Sequence, residues 1–185
     1  MVLEHQSRMT NLIARVGWEA RMALYSQAGM NQALHEPEDK ISESTRRRID
    51  TASEELVQYM LFADEAPLDS EIRGTSGFAA EFARQGPRDR QGRSLRDFDM
   101  KRRMFQYPCS YLIYSEAFDA MPGIAKERIY RRLWEVLTGR DNSGKYAKLS
   151  ETDRKAVLQI LLETKKGLPD YWKSGPGTPA ILPHV

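Results

Sequence analysis

Cysteine, long apolar runs and net charge are all scarce in this chain of 185 residues. The only cysteine, Cys109, has no second cysteine with which to form an internal disulfide, so packing and hydrogen bonds must hold the fold. No apolar run approaches the ~20 residues that a membrane-spanning helix needs, and the opening residues MVLEHQSRMT lack the basic and then apolar pattern of a secretory signal. The 28 basic and 26 acidic residues leave a formal charge of +2, so binding to nucleic acid or to an anionic membrane would need a local basic patch.

Motifs that bind metals or attach cofactors are absent as well. The chain contains no His-x-x-x-His, Cys-x-x-Cys or Glu-x-x-His spacing. We therefore expect no metal site and no cofactor. The histidines are His5, His35 and His184, and none has a local sequence that makes it a base for Cys109.

What the sequence does contain is apolar residues at three- and four-residue spacing, and this spacing predicts helices. A first helix from Met9 to Ala28 would end at Gly29, because glycine commonly terminates helices. A second helix would open at Pro37 and run to about Asp64.

The second half of the chain adds shorter helices. Residues 74–83 are interpreted as a glycine turn that leads into a short helix, capped by Thr75 or Ser76 and ended by Gly86 and Pro87. Ser94 with Asp97 resembles a capping box that would start another helix. The run CSYLIYS, residues 109–115, is interpreted as helical because no strand of similar character is available to pair with it. Clearer stripes predict a helix over residues 124–138 and another that begins after Ser150 and ends before Gly167.

These patterns together predict an all-α protein. Residues 1–172 would form a single domain, an irregular bundle of about seven helices. Residues 173–185, KSGPGTPAILPHV, contain three prolines and two glycines and would form an irregular tail.

The segment around Cys109 is the place where enzyme chemistry would be centred. With Pro108 in the first position of a helix, Cys109 would lie in the first turn, where backbone N–H groups stabilise a thiolate. Tyr107, Tyr111 and Tyr114 recur at helical spacing and could line a pocket with their hydroxyl groups. The other interpretation is packing, because free cysteine is among the most often buried residues and its neighbours here are aromatic and aliphatic. We favour packing and keep a catalytic Cys109 as the alternative.

The largest local excess of positive charge lies between Arg84 and Arg103, a segment that contains eight basic and three acidic residues. Arg90 and Arg93 are the candidates for binding a polyanion. The aspartates alternate with the arginines, however, as in a loop tied by its own ion pairs, and no aromatic ladder suggests base stacking. We therefore do not expect nucleic acid as a partner.

Several stretches of the chain resemble a known group of proteins: GRSLRDFDM, RRMFQYPCSYLIYSEAFDAMP, IYRRLWEVLTGRD and LSETDRKAVLQILLETKKGLPDYW. Over about residues 74–172 the chain resembles the C-terminal module of uncharacterised bacterial hypothetical proteins. The resemblance implies a bacterial source and a recurring module, and it transfers no catalytic residue. It implies an exported or envelope-associated protein if the chain is a fragment of a longer one, and a cytoplasmic protein otherwise.

From these observations we expect a non-enzymatic interaction or structural domain, with a protein partner that the sequence does not identify and with no membrane-spanning segment. Two alternatives stay open. One is an enzyme or small-ligand binder centred on the segment Tyr107–Tyr114 with Cys109. The other is a polyanion binder that uses the segment Arg84–Arg103.

Overall fold

The computed structural model describes residues 1–173, which contain six α-helices and two short 3-10 helices. This part of the chain forms no β-strand beyond one isolated bridge. The all-α prediction is confirmed, with six α-helices in place of about seven. The predicted tail lies outside the described residues except for Lys173. The α-helices are α1 (Val2–Leu34), α2 (Glu43–Met60), α3 (Phe78–Arg84), α4 (Glu116–Asp119), α5 (Gly123–Leu137) and α6 (Glu151–Thr164), and the 3-10 helices are Tyr111–Tyr114 and Asp170–Trp172.

The helices α1 and α2 form an antiparallel pair, which is the most extensive helix contact in the fold. Ion pairs show the direction: Glu19 of α1 binds Arg48, whereas Arg15, one turn earlier, binds Glu55, two turns later on α2. The facing stripes of the two helices are buried and form one side of the core, through Met9, Leu12, Ile13, Val16, Ala20, Ile49, Leu56 and Met60.

Two buried polar side chains close the turn between these helices. The amide of Asn31 donates hydrogen bonds to the carbonyl oxygens of Pro37 and Lys40, both at 2.9 Å. Gln27 accepts a hydrogen bond from the backbone N–H of Ser42 at 3.1 Å. Because these bonds fix residues 37–42 as a turn, the helix predicted to open at Pro37 cannot form there.

The second helix is therefore shorter than predicted at both ends. It begins at Glu43, six residues later than predicted, because Ser42 Oγ caps it by accepting the N–H of Thr45 at 3.3 Å. It ends at Met60, four residues early, where Phe62 turns the chain with a positive φ of 53°.

The first helix, in contrast, is longer than predicted. It runs through Gly29 to Leu34 and ends at His35, which has a left-handed φ of 55°. The prediction of a stop at Gly29 is wrong, because glycine permits the left-handed conformation without requiring it.

The prediction of a helix that starts at Ser94 is also wrong, because this segment forms turns. Asp97 does accept the backbone N–H of Ser94 at 2.8 Å, as in a capping box, but its carboxylate also binds Arg88 at 2.9 Å. An isolated bridge joins Phe98 to Phe105, and their rings stack with centroids 5.3 Å apart. This short hairpin, with its contact between the two rings, forms in place of the predicted helix.

The predicted helices α5 and α6 complete the core. Ser150 caps α6 by accepting the backbone N–H of Asp153 at 3.1 Å. Leu133 of α5 and Leu161 of α6 are both fully buried. The apolar stripes of the sequence therefore identify the correct buried faces here.

A charged network joins α2 to α5. Arg132 lies 2.7 Å from Glu54 of α2 and 2.5 Å from Asp141 of the loop after α5. The hydroxyl group of Tyr146 donates to the same Glu54 at 3.0 Å. Burial alone would raise the pKa of Glu54, but the hydrogen bond and positive charge of Arg132 hold it below its ordinary value. The carboxylate stays ionised, so this network is a structural link.

Leu161 and Leu162 are neighbours on α6 with opposite environments, since Leu161 is fully buried and Leu162 is 41% exposed. We expect Leu161→Ala to lower the free energy of unfolding by ~2–5 kcal/mol, because a cavity replaces a buried side chain. Leu162→Ala should change it by less than about 1 kcal/mol. Chemical denaturation of both variants measures these values, and equal losses would contradict the orientation of α6.

Candidate functional site

The only cysteine of the chain is fully buried. It lies outside the helix predicted for it, because the 3-10 helix begins at Tyr111 and Ser110 is its N-cap. Burial raises the pKa of the Cys109 thiol. Because Cys109 is neither in a first helical turn nor open to solvent, a reactive thiolate is disfavoured there. This geometry supports the packing interpretation.

The three candidate tyrosines do not share one helix face. Tyr107 precedes the 3-10 helix that contains Tyr111 and Tyr114. The Tyr111 ring meets Phe82 edge-on, with centroids 5.1 Å apart, whereas the Tyr114 hydroxyl group lies 2.6 Å from that of Thr164. Burial raises the pKa of all three phenols. The segment therefore packs its tyrosines into separate contacts.

The arginines of the segment Arg84–Arg103 are largely occupied by ion pairs within the protein. Of the two candidates, Arg93 binds Asp89 at 2.7 Å, whereas the Arg90 side chain has no ion pair with any residue from 1 to 173. Burial alone would raise the pKa of Asp89, but its hydrogen bonds with Arg93 hold it below its ordinary value. Arg96 likewise has no ion pair within residues 1–173, but its guanidinium group lies over the rings of Phe82 and Tyr111. Arg90 alone is too little for a polyanion site. The other ion pairs made by basic residues of this segment are Arg84–Glu81, Arg88–Asp97, Lys101–Glu71, Arg102–Asp99 and Arg103–Asp153.

A contact that the sequence analysis missed joins the start of α1 to the Cys109 segment. Nε2 of His5 lies 2.8 Å from Oγ of Ser110, and both residues are buried. The imidazole ring also stacks on Tyr59 and Phe62, with centroids 5.4 and 4.9 Å away. Burial lowers the pKa of His5 to about 4, so the ring is neutral near pH 7.

His5 could act as a base and Ser110 as a nucleophile, but the pair is not accessible to a substrate. Ser110 is fully buried, and its Oγ also accepts the backbone N–H of Leu112 at 3.3 Å. A substrate cannot reach the hydroxyl group, so the pair has a structural role. The sequence did carry a signal for it, because His5 stands at helical spacing with Met9 and Leu12 on the buried face of α1.

A cleft of about 580 Å³ opens beside this pair, between the start of α1 and the end of α2. Phe62 lines it with a positive φ, which is rare for a bulky residue and often marks a functional position. Here the fold explains the strain, because the Phe62 ring stacks on His5 and also lies 5.7 Å from the ring of Phe105. Glu65, at the same cleft, accepts the backbone N–H of Met104 at 3.3 Å. Packing accounts for these residues without a ligand.

The surface of α1 that faces away from the core is the feature that packing does not explain. Of the ten large hydrophobic residues exposed in the described part of the chain, six lie on this helix. Tyr25 is 78% exposed and Trp18 is 56% exposed. Residues 22–34 contain no charged side chain, although 29% of the whole chain is charged. We define the docking face as the exposed residues Trp18, Met22, Tyr25, Ala28, Gly29 and Gln32.

These residues share one side of α1 because their spacing follows the helical repeat. Trp18, Met22, Tyr25 and Gly29 are separated by four, three and four positions. Gly29 adds a second anomaly, since a glycine inside a helix costs about 1 kcal/mol relative to alanine. A Cβ atom at Gly29 would have nothing within 4 Å, so no contact inside the protein requires glycine there. Glycine at such a position permits another backbone to approach closely.

Comparisons with known proteins do not assign the chain to a family. No protein-family model matches it, and no curated protein or solved structure matches it. The resemblance over about residues 74–172 therefore stays a prediction.

Within residues 1–173, no group of three or more His, Cys, Asp or Glu residues is placed to hold a metal ion. Over the same range, no helix combines the length and apolar character needed to cross a membrane.

The buried imidazole makes stability depend on pH in a defined window. His5 has a pKa of about 4 in the fold against an ordinary 6.5, so the unfolded chain binds a proton that the folded chain excludes between these values. We expect the contribution of His5 to stability to be complete above about pH 6.5 and to be lost as the pH falls toward 4. Urea unfolding over this range tests it, with His5→Gln expected to flatten the pH dependence. Identical pH profiles for the two proteins would contradict a buried neutral His5.

Proposed function

We propose that this protein is a non-enzymatic interaction domain that docks an apolar helix of a partner protein on the docking face of α1. The observation that carries the proposal is the exposed side of α1 with Trp18, Met22 and Tyr25, which continues into residues 22–34, where no side chain is charged. Exposed apolar surface of this kind is unfavourable in water and marks interaction sites in many proteins.

The shape of the face suits a helix as its occupant. The spacing of four, three and four positions from Trp18 to Gly29 is the spacing of a helix–helix seam. Ala28 and Gly29 have small side chains, so the axis of a second helix can approach to about 8 Å. Large side chains next to small ones along the helix give the ridges and grooves that such a contact needs.

The chemistry of the face also argues against other occupants. Polyanions and anionic membranes are held by lysine and arginine, and residues 22–34 have neither. The buried state of Cys109 and Ser110 gives no support to acyl transfer or thiol chemistry. An apolar protein surface is the partner that remains compatible with these residues.

Site-specific photo-crosslinking tests the proposal in cells that express the protein. A photoreactive phenylalanine analogue replaces Tyr25, and the matched control carries it at Arg47, an exposed position on the charged surface of α2. We expect a discrete adduct from position 25 only, with the crosslinked segment identified by mass spectrometry as an apolar helix. Absence of an adduct at position 25, or equal adducts at both positions, would contradict the proposed function.

A further inference from the structure

We infer that the helix docked on this face is α1 of a second copy of the chain, lying antiparallel to the first. The inference rests on the proposed function and names its partner. It is carried by the order of large and small residues along the face, by the charges at its two ends and by its uncharged centre.

Large and small side chains are segregated along the docking face. Trp18 and Met22 lie before Tyr25, whereas Ala28 and Gly29 lie after it. A two-fold axis that passes near Tyr25 places Met22 of one copy opposite Ala28 of the other, because each is three positions from Tyr25. In such a two-fold contact both copies use the same surface, so the contact between Met22 and Ala28 forms twice, once on each side of the axis. A parallel pair would instead place Trp18 against Trp18 and Gly29 against Gly29.

The charges at the two ends of α1 favour the same orientation. Arg15 and Arg21 are exposed toward the N-terminal end of the face, where Arg15 also binds Glu55 and Arg21 the carbonyl oxygen of Ala120. Glu38 and Asp39 follow the C-terminal end of the face. No ion pair of Glu38 or Asp39 occurs within residues 1–173, and Glu19, the acidic residue near the arginines, is bound to α2. An antiparallel pair brings each acidic end toward the arginines of the other copy. A parallel pair would bring the two acidic ends together.

The centre of the face lets two identical surfaces meet without repulsion. Like charges placed opposite each other would disfavour a two-fold contact, and residues 22–34 contain none. A single pair of helices buries less than the ~1,600 Å² of a standard interface. We therefore expect a reversible dimer that forms at micromolar concentrations.

Sedimentation velocity of the purified full chain tests self-association, at concentrations from about 1 to 200 µM. We expect the wild type to shift from monomer to dimer across this range. Tyr25→Glu should remain monomeric, because the two glutamates would meet at the two-fold axis. Leu162→Glu is the matched control, since it places the same charge on another exposed apolar residue, and it should dimerise like the wild type. Circular dichroism confirms that both variants fold.

Disulfide trapping tests the antiparallel orientation, and the buried Cys109 can be retained. Tyr25→Cys should form an intermolecular disulfide on mild oxidation, because the two positions meet at the axis. Trp18→Cys should not, because the two Trp18 positions lie ~20 Å apart at 1.5 Å per residue. Equal crosslinking of both variants would overturn the antiparallel arrangement.

The results separate the inference from the proposed function. If the wild type is monomeric at every concentration while position 25 crosslinks to a helix of a different protein, the second-copy inference is wrong and the proposed function stands. If neither self-association nor an adduct is found, both are wrong. Dimerisation that Tyr25→Glu leaves unchanged would also overturn the inference, because the contact would lie elsewhere.

Discussion

The position of α1 is the constraint on which the rest of the structure depends. This helix of 33 residues packs one stripe against α2, and its contacts reach segments far along the chain. His5 bonds to Ser110 in the Cys109 segment, and the Arg21 guanidinium group donates to the carbonyl oxygen of Ala120 at 3.0 Å. With one side fixed by these contacts, the opposite side is held toward solvent in a defined orientation. The core therefore determines where the docking face points.

Because these contacts hold α1 in place, the proposed docking face would already be formed before a partner binds. A preformed helix loses little conformational entropy on association, so modest contact area can give measurable affinity. Asn31 and Gln27 anchor the C-terminal half of α1 to the turn before α2, next to the exposed apolar residues. The same hydrogen bonds thus hold the part of α1 that carries Tyr25 and Gly29 in position.

Sequence patterns predicted the fold where apolar spacing and capping residues agreed. Ser150 caps α6 and Leu161 is buried, both as the sequence indicates. Prediction failed where contacts distant in sequence decide the local structure. The ring stack of Phe98 and Phe105 replaces a helix, and no local pattern shows that these rings meet.

The functional candidates taken from the sequence were Cys109, the tyrosines near it and two arginines, and the structure gives all of them except Arg90 packing or pairing roles. Cys109 is buried, and Arg93 is paired with Asp89. The exposed face of α1 was not among these candidates, because apolar residues at helical spacing indicate the buried side of a helix. The absence of charge over residues 22–34 was visible in the sequence. Only the structure shows that Tyr25 and Trp18 on this helix face solvent.

The most direct test of the account is the substitution Gly29→Ala, measured for stability and for association in the same preparation. The fold has open space for the added methyl group, so the dilute monomer should gain about 0.5–1 kcal/mol in free energy of unfolding. Association through the docking face should weaken, because the methyl group keeps the second helix from approaching closely. A gain in stability with weaker dimerisation is the predicted result. Lower stability, or dimerisation as strong as in the wild type, would contradict the claim that Gly29 serves docking and not the fold.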